Sequence, residues 1–103
     1  MYKLEILPVV RRDMVDIARY IGVELGNPQA ANKLAVELIE AIDTVPLFPY
    51  ANPAYTPLRP LNHEYRKMAV QNYLVFYWVD EQRKTVTIAR VVYAKREYKQ
   101  LLF

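Results

Sequence analysis

The chain has 103 residues, of which 53% are hydrophobic and 24% charged, and its formal net charge is +3 at pH 7. This length and composition predict a single folded domain over residues 1–103 with its own core. They exclude a chain that is disordered as a whole, such as a disordered tail region. The absence of cysteine excludes disulfide scaffolds, zinc–thiolate sites and cysteine nucleophiles. The two glycines, Gly22 and Gly26, are isolated, which excludes a glycine-rich phosphate-binding loop.

Charge is distributed unevenly along the chain. Residues 1–58 carry five basic and seven acidic side chains, whereas residues 59–103 carry nine and four, so the net charges are −2 and +5. A basic half favours an anionic partner such as nucleic acid or an acidic protein, with ordinary solubilising surface charge as an equal alternative. No apolar run approaches the roughly 18 residues that span a bilayer, and no signal peptide is apparent, so we expect a cytoplasmic protein without membrane contact.

The N-terminal half is predicted to form a strand and a helical hairpin. Alternating polarity predicts a strand over Tyr2–Leu7, which Pro8 ends. Apolar residues at spacings of three and four predict helices over Val9–Leu25 and Pro28–Val45. Asn27, directly before the second helix, is typical of a helix start, and the short link predicts an antiparallel hairpin.

A proline-rich connector separates this hairpin from the C-terminal strands. Five of the seven prolines lie between Pro46 and Pro60, which predicts an extended segment; we favour a packed cover of the sheet edge over a binding loop. Strands are predicted over Glu64–Val70, Tyr73–Asp80 and Thr85–Tyr93, followed by a short helix in the tail. The order β-α-α-β-β-β predicts an α+β domain, with the hairpin on one face of a mostly antiparallel four-stranded sheet and the other face open for function.

Basic and aromatic side chains alternate in the C-terminal half and are candidates for nucleic-acid binding. Phosphate neutralisation by Lys and Arg, with bases stacked on tyrosine, is the usual chemistry of single-strand binding. The alternative is that the tyrosines line the core rim and the cations only keep the protein soluble. The candidates are Arg59, Tyr65, Arg66, Lys67, Tyr93, Lys95, Arg96, Tyr98 and Lys99.

The remaining titratable residues are interpreted as structural. The only histidine, His63, suits acid–base catalysis near neutral pH, but a lone loop histidine is more often a solvated surface residue. Arg90 lies within an apolar strand, so we expect it on the open face or, preferably, in an ion pair with an acid such as Glu64. Asp13 and Asp16 alternate with arginines on the first helix and are expected on a solvated face. No metal site and no cofactor are expected.

Six segments spread over nearly the whole chain match one known family in their order and spacing. They are Tyr2-Lys3-Leu4, Leu47-Phe48-Pro49, Leu58-Arg59-Pro60-Leu61, Glu64-Tyr65-Arg66, residues 72–77 and residues 90–98. On these segments the chain resembles the RelE/ParE superfamily of bacterial toxins from type II toxin–antitoxin modules. The resemblance implies the fold above, a cognate antitoxin as partner, and one of two targets. RelE-like members cut messenger RNA in the ribosomal A site, whereas ParE-like members inhibit DNA gyrase.

The resemblance also implies site residues, with two departures from the ribonuclease pattern. In RelE-like members a metal-free set of basic residues and a tyrosine lies on the open sheet face and at the C-terminus. The candidate catalytic residues implied in this chain are Arg66, Lys95, Arg96 and Tyr98. Leu74 stands where the family usually has an arginine, and Met68 where a second basic residue is common. Loss of one oriented cation costs roughly 10²–10³ in rate.

Three functions follow as hypotheses. The first is ribosome-dependent messenger RNA cleavage by a metal-free endoribonuclease, with the ribosome and its message as targets. The second is ParE-like inhibition of DNA gyrase, a binding activity that tolerates Leu74 and Met68 because it needs no chemistry. The third is a degenerate, non-toxic member that only binds its antitoxin.

Overall fold

The strands and helices follow one another in the order predicted from the sequence. The computed structural model describes residues 1–55 and 62–95. Its elements are β1 (Lys3–Ile6), α1 (Pro8–Arg19), a π-helical turn (Tyr20–Glu24), α2 (Pro28–Thr44), β2 (Arg66–Val70), β3 (Tyr73–Asp80) and β4 (Thr85–Tyr93). The predicted tail helix lies outside the described residues.

The four strands form one mixed sheet in the order β1-β4-β3-β2. β1 pairs with β4 in parallel, and the other two pairings are antiparallel. β3 is a central strand, which accounts for the apolar residues on both faces of Tyr73–Val79. Two residues, Gln71 and Asn72, link β2 to β3, as the predicted bounds of the two strands require, and Gln71 has a φ of 53°. The predicted α+β fold is thereby confirmed.

The helical hairpin begins and ends at the residues that favour such boundaries. Asn27 caps α2, because its Oδ1 accepts a hydrogen bond of 3.0 Å from the N–H of Ala30. The first helix was predicted to run to Leu25, but α-helical geometry ends at Arg19 and a π-helical turn follows. Gly26, at a φ of 65°, ends this turn in the left-handed conformation that glycine adopts without strain.

The main core lies between the helices and one face of the sheet. The two helices contribute Val10 and the α2 stripe of Leu34, Leu38 and Ile42. The sheet contributes Met68, Val70, Val75, Tyr77, Val86, Ile88 and Val91. These residues alternate along each strand except between Ile88 and Val91, where the register of β4 shifts against β3. All these side chains are buried. This face is called the helix side of the sheet below.

The opposite face of the sheet is not open at its centre. A second cluster of buried residues, made of Tyr65, Phe76, Ala89 and Val92, packs there. Phe76 is fully buried, because Tyr55 of the connector meets its ring edge-on at a centroid distance of 5.6 Å. The expectation of a bare functional face is therefore wrong at this point. We call this surface the aromatic face.

The first part of the connector covers the outer edge of β2. The N–H of Tyr55 donates to the carbonyl of Tyr65 at 2.7 Å, and the N–H of Lys67 donates to the carbonyl of Pro53 at 3.2 Å. Ala54 forms an antiparallel bridge with Arg66. These contacts agree with the interpretation of the connector as an edge cover, and they protect a strand edge that would otherwise invite intermolecular pairing.

Candidate functional site

The guanidinium of Arg66 lies on the helix side of the sheet and binds the connector. Strand register pairs Arg66 with the buried Tyr77. Its Nη1 donates to the carbonyl of Asn52 at 2.6 Å, and its guanidinium carbon lies 4.8 Å from the ring centroid of Tyr50. Its Nη2 is 3.8 Å from the Glu64 carboxylate, and the side chain is only 18% exposed. The guanidinium of Arg66 is therefore bound by other groups of the same chain.

A carboxylate that contacts Tyr50, as Arg66 does, gathers three polar groups. Glu81, in the turn between β3 and β4, accepts hydrogen bonds from the hydroxyls of Tyr2 and Tyr50 and from Lys84 Nζ, the last at 2.8 Å. The bond from Lys84, followed by those from the two tyrosines, lowers the pKa of Glu81 to about 2. The same carboxylate raises the pKa of Tyr50 to about 12. The cluster joins the start of β1, the connector and the β3–β4 turn.

Replacing Glu81 by Gln should make the stability of the fold fall less steeply as the pH is lowered below 4.5. The pKa of Glu81 lies at about 2 in the folded chain and at 4.5 ordinarily, so ionised Glu81 stabilises the fold above pH 4.5. That contribution is lost as the pH falls from 4.5 towards 2. Thermal melts across this range should show a steeper fall for the wild type than for Glu81→Gln. The exposed Glu40→Gln should follow the wild type, and identical profiles for all three chains would contradict the cluster.

The aromatic face carries a stacked pair of rings. His63 lies parallel to Trp78, with a centroid distance of 3.7 Å and an interplanar angle of 3°. Tyr65 meets Trp78 edge-on at 5.7 Å, and Lys67 Nζ lies 5.6 Å from the centroid of Tyr55. Tyr65 is buried, and that burial raises its pKa. Tyr65 is thus a packing residue, whereas His63 is exposed at the surface.

The remaining described candidates lie at the other end of the sheet. The ring of Tyr93 meets Tyr73 at a centroid distance of 5.6 Å, and Lys95 follows in the exposed turn after β4. Tyr73 pairs with Tyr93, and Tyr77 with Arg66, so four strand residues, about 13 Å, separate Arg66 from the level of Tyr93. The described residues therefore do not bring Arg66 and Lys95 together.

Four predicted site residues lie outside the described residues: Arg59, Arg96, Tyr98 and Lys99. Of the others, Lys67 and Tyr65 lie on the aromatic face and Arg66 lies on the helix side. The two departures have packing roles, because Met68 is buried in the main core and Leu74 packs against the second cluster. Neither position offers a cation.

Asp13 and Arg90 form an ion pair that corrects two expectations. Asp13 is buried instead of solvated, and Arg90 pairs with it and not with Glu64. Asp13 Oδ2 accepts from Arg90 Nε at 2.9 Å and from the N–H of Val91 at 3.0 Å, while Oδ1 accepts from Arg90 Nη2 at 2.8 Å. The pairing strand β1 ends opposite Ile88. The carboxylate therefore continues the hydrogen bonding of β4 where β1 has stopped.

A cleft of about 820 Å³ lies between the π-helical turn and the β2–β3 link. Tyrosines from three elements line it, namely Tyr20, Tyr73 and Tyr93, beside Asp13 and Asp16. Burial raises the pKa of Tyr73, and the neighbouring tyrosines add to that effect. The sequence does not predict this cleft, because the residues that line it come from distant parts of the chain. Tyr20, Tyr73 and Tyr93 each come from a different element, and a single tyrosine is a weak signal of a binding site.

Residues 1–55 and 62–95 give no support for a metal site or for a membrane-spanning helix. No group of three or more His, Asp or Glu side chains lies close enough there to hold a metal ion. Neither of the α-helices in that part is long and apolar enough to cross a membrane.

A family model described as "ParE toxin of type II toxin-antitoxin system, parDE" matches residues 4–98. Among solved structures, the chromosomal ParDE system of P. aeruginosa contains a chain of 16% identity and TM-score 0.73; the match covers 92% of this chain and 98% of that one. The intact RelBE complex of E. coli gives 16% identity, TM-score 0.55 and coverages of 93% and 100%. The RelE–RelB complex of Pyrococcus horikoshii gives 16% identity and a TM-score of 0.53, and the match covers 92% of this chain and 97% of that one. No curated protein sequence matches.

Proposed function

Because the chain belongs to the ParE toxin family of type II toxin–antitoxin systems, we propose that it arrests growth by binding DNA gyrase, without chemistry of its own. The family supports a cognate antitoxin as its partner. Gyrase is the target that the resemblance to ParE-like members implies. The inhibitor thus acts as a protein ligand, and we place its action in the cytoplasm.

The placement of Arg66 carries this proposal. A ribonuclease of this type needs oriented cations around the scissile phosphate. Arg66, the strand residue matched to that role, donates to the Asn52 carbonyl and lies against Tyr50 on the helix side. Met68 and Leu74 are packing residues, and Lys95 lies at the far end of the sheet. A toxin that acts only by binding its target does not need catalytic cations at these positions.

Two assays on the purified toxin test the proposal together. Purified gyrase should lose its ability to supercoil relaxed plasmid as the toxin is added, and addition of the cognate antitoxin should restore it. In a purified translation system, primer extension on a defined message should give the same 5′ ends with and without toxin. Uninhibited gyrase would contradict the proposal, whatever the translation assay shows.

The second candidate is ribosome-dependent cleavage of messenger RNA, and one observation favours it. The aromatic face presents the exposed ring of His63 stacked on Trp78, and Lys67 Nζ lies over the ring of Tyr55 on the same face. Base stacking beside a cation is the chemistry of single-strand binding. New 5′ ends that depend on ribosomes, together with normal gyrase activity, would make this the function. Normal growth on induced expression would leave only a non-toxic chain that binds its antitoxin.

A further inference from the structure

We propose that, in the absence of antitoxin, two copies of this chain pair through the outer edges of their β1 strands. The pairing is antiparallel and forms a continuous eight-stranded sheet across a two-fold axis. The proposal does not depend on the target of the toxin, because it concerns the outer edge of β1, whereas Arg66 lies on β2 at the opposite edge of the sheet.

The outer edge of β1 offers unused backbone groups. β1 is the edge strand beside β4. The N–H of Lys3 donates to the carbonyl of Lys84 at 2.7 Å, and the N–H of Leu7 donates to the carbonyl of Ile88 at 3.0 Å. Since successive residues of a strand direct these groups to opposite sides, those of Leu4 and Ile6 point outwards. At the other edge of the sheet, residues 53–55 already cover β2.

The charges on β1 are complementary to those of a second copy in one register. Lys3 and Glu5 are exposed, on the face away from the helices, and no ion pair among the described residues includes either of them. A two-fold axis at Leu4 sets Lys3 opposite Glu5 of the second copy, and Glu5 opposite its Lys3. Both are non-hydrogen-bonded positions, where Cα atoms lie about 4.5 Å apart and side chains approach most closely.

The same register covers exposed apolar surface on the helix side. Ile6 is 50% exposed, and this register places it opposite Tyr2 of the second copy. Ile6 also borders a groove of about 600 Å³ between α1 and α2, which Val15 and Ile39 line with half-exposed side chains. Because β1 has only four residues, the contact is smaller than a standard stable interface. We therefore expect a dimer that dissociates on dilution.

Charge reversal on β1 tests this pairing. Sedimentation equilibrium of the full chain at concentrations up to about 1 mM should show a monomer–dimer equilibrium. Lys3→Glu alone or Glu5→Lys alone sets like charges opposite each other, so each should raise the dissociation constant about tenfold or more. The double variant with both changes exchanges the two charges and should recover the wild-type constant. Lys33→Glu and Glu40→Lys, which make the same changes of charge on exposed faces of α2, should leave it unchanged.

Three results would overturn the proposal. The first is a wild-type chain that stays monomeric at every concentration. The second is a dimer that neither single reversal weakens, which would place the interface elsewhere. The third is a double variant that stays as weak as the single variants, since only the opposed pairing predicts recovery. Far-UV circular dichroism of each variant separates a lost interface from a lost fold.

Discussion

Replacement of Asp13 by Ala is expected to lower the free energy of unfolding by about 3 kcal/mol, the lower end of the range for breaking a buried ion pair. The change removes the two hydrogen bonds that Arg90 donates to Asp13 and the acceptor of the Val91 N–H. The side chains of Asp13 and Arg90 are only 10% and 18% exposed, so water replaces these bonds poorly. Urea denaturation, followed by circular dichroism, measures the loss.

Asp16→Ala is the matched control for this experiment. It removes the same carboxylate from the same helix, but at an exposed position. Surface substitutions of this kind usually change stability by less than about 0.5 kcal/mol. Equal effects of the two substitutions would mean that the Asp13–Arg90 pair contributes nothing beyond an ordinary helix charge.

Phe76→Ala should destabilise the protein by about 3–5 kcal/mol, as much as truncation of an aromatic residue in the main core. Phe76 is fully buried between Tyr55 and Tyr65 on the aromatic face. The loss combines the removed apolar surface with the cavity left behind, which the sheet cannot close. Urea denaturation again provides the measurement.

The control for Phe76 is His63→Ala on the same face. His63 is exposed, and its removal costs the stacking contact with Trp78, about 0.5–1.5 kcal/mol, and a longer edge contact with Tyr65. If the two substitutions had similar small effects, the aromatic face would be a surface free for ligands and not a second core.

Regular strands and the helix starts were readable from the sequence because local signals determine them. Polar turn residues, Gln71-Asn72 before β3 and residues 81–84 before β4, placed both strands at their observed bounds. β2 begins two residues later than predicted, at Arg66, and directly before it the carbonyl of Tyr65 accepts a hydrogen bond from the N–H of Tyr55 in the connector. The π-helical turn escaped prediction, since its apolar spacing continues that of α1.

The side of the sheet on which Arg66 lies can also be predicted from the sequence. Arg66 has the same strand parity as Met68 and Val70, which are apolar, and that parity predicts the helix side of the sheet. The partner of Arg90 was not readable, because Asp13 lies 77 positions away in the chain. Nothing in the local sequence of α1 separates the buried Asp13 from the exposed Asp16. Sites assembled from such distant contacts require the folded structure.

The parallel pairing of β1 with β4 has a consequence for how the chain reaches its folded state. Lys3 pairs with Thr85, so the first described strand finds its place only after the last one has formed. Closing so long a loop is entropically costly and makes folding slow, as in other topologies rich in distant contacts. A nascent chain that has not yet produced β4 leaves β1 without a partner. The sheet is therefore completed only after synthesis of β4, and an incomplete product exposes an unpaired strand that makes it prone to aggregation.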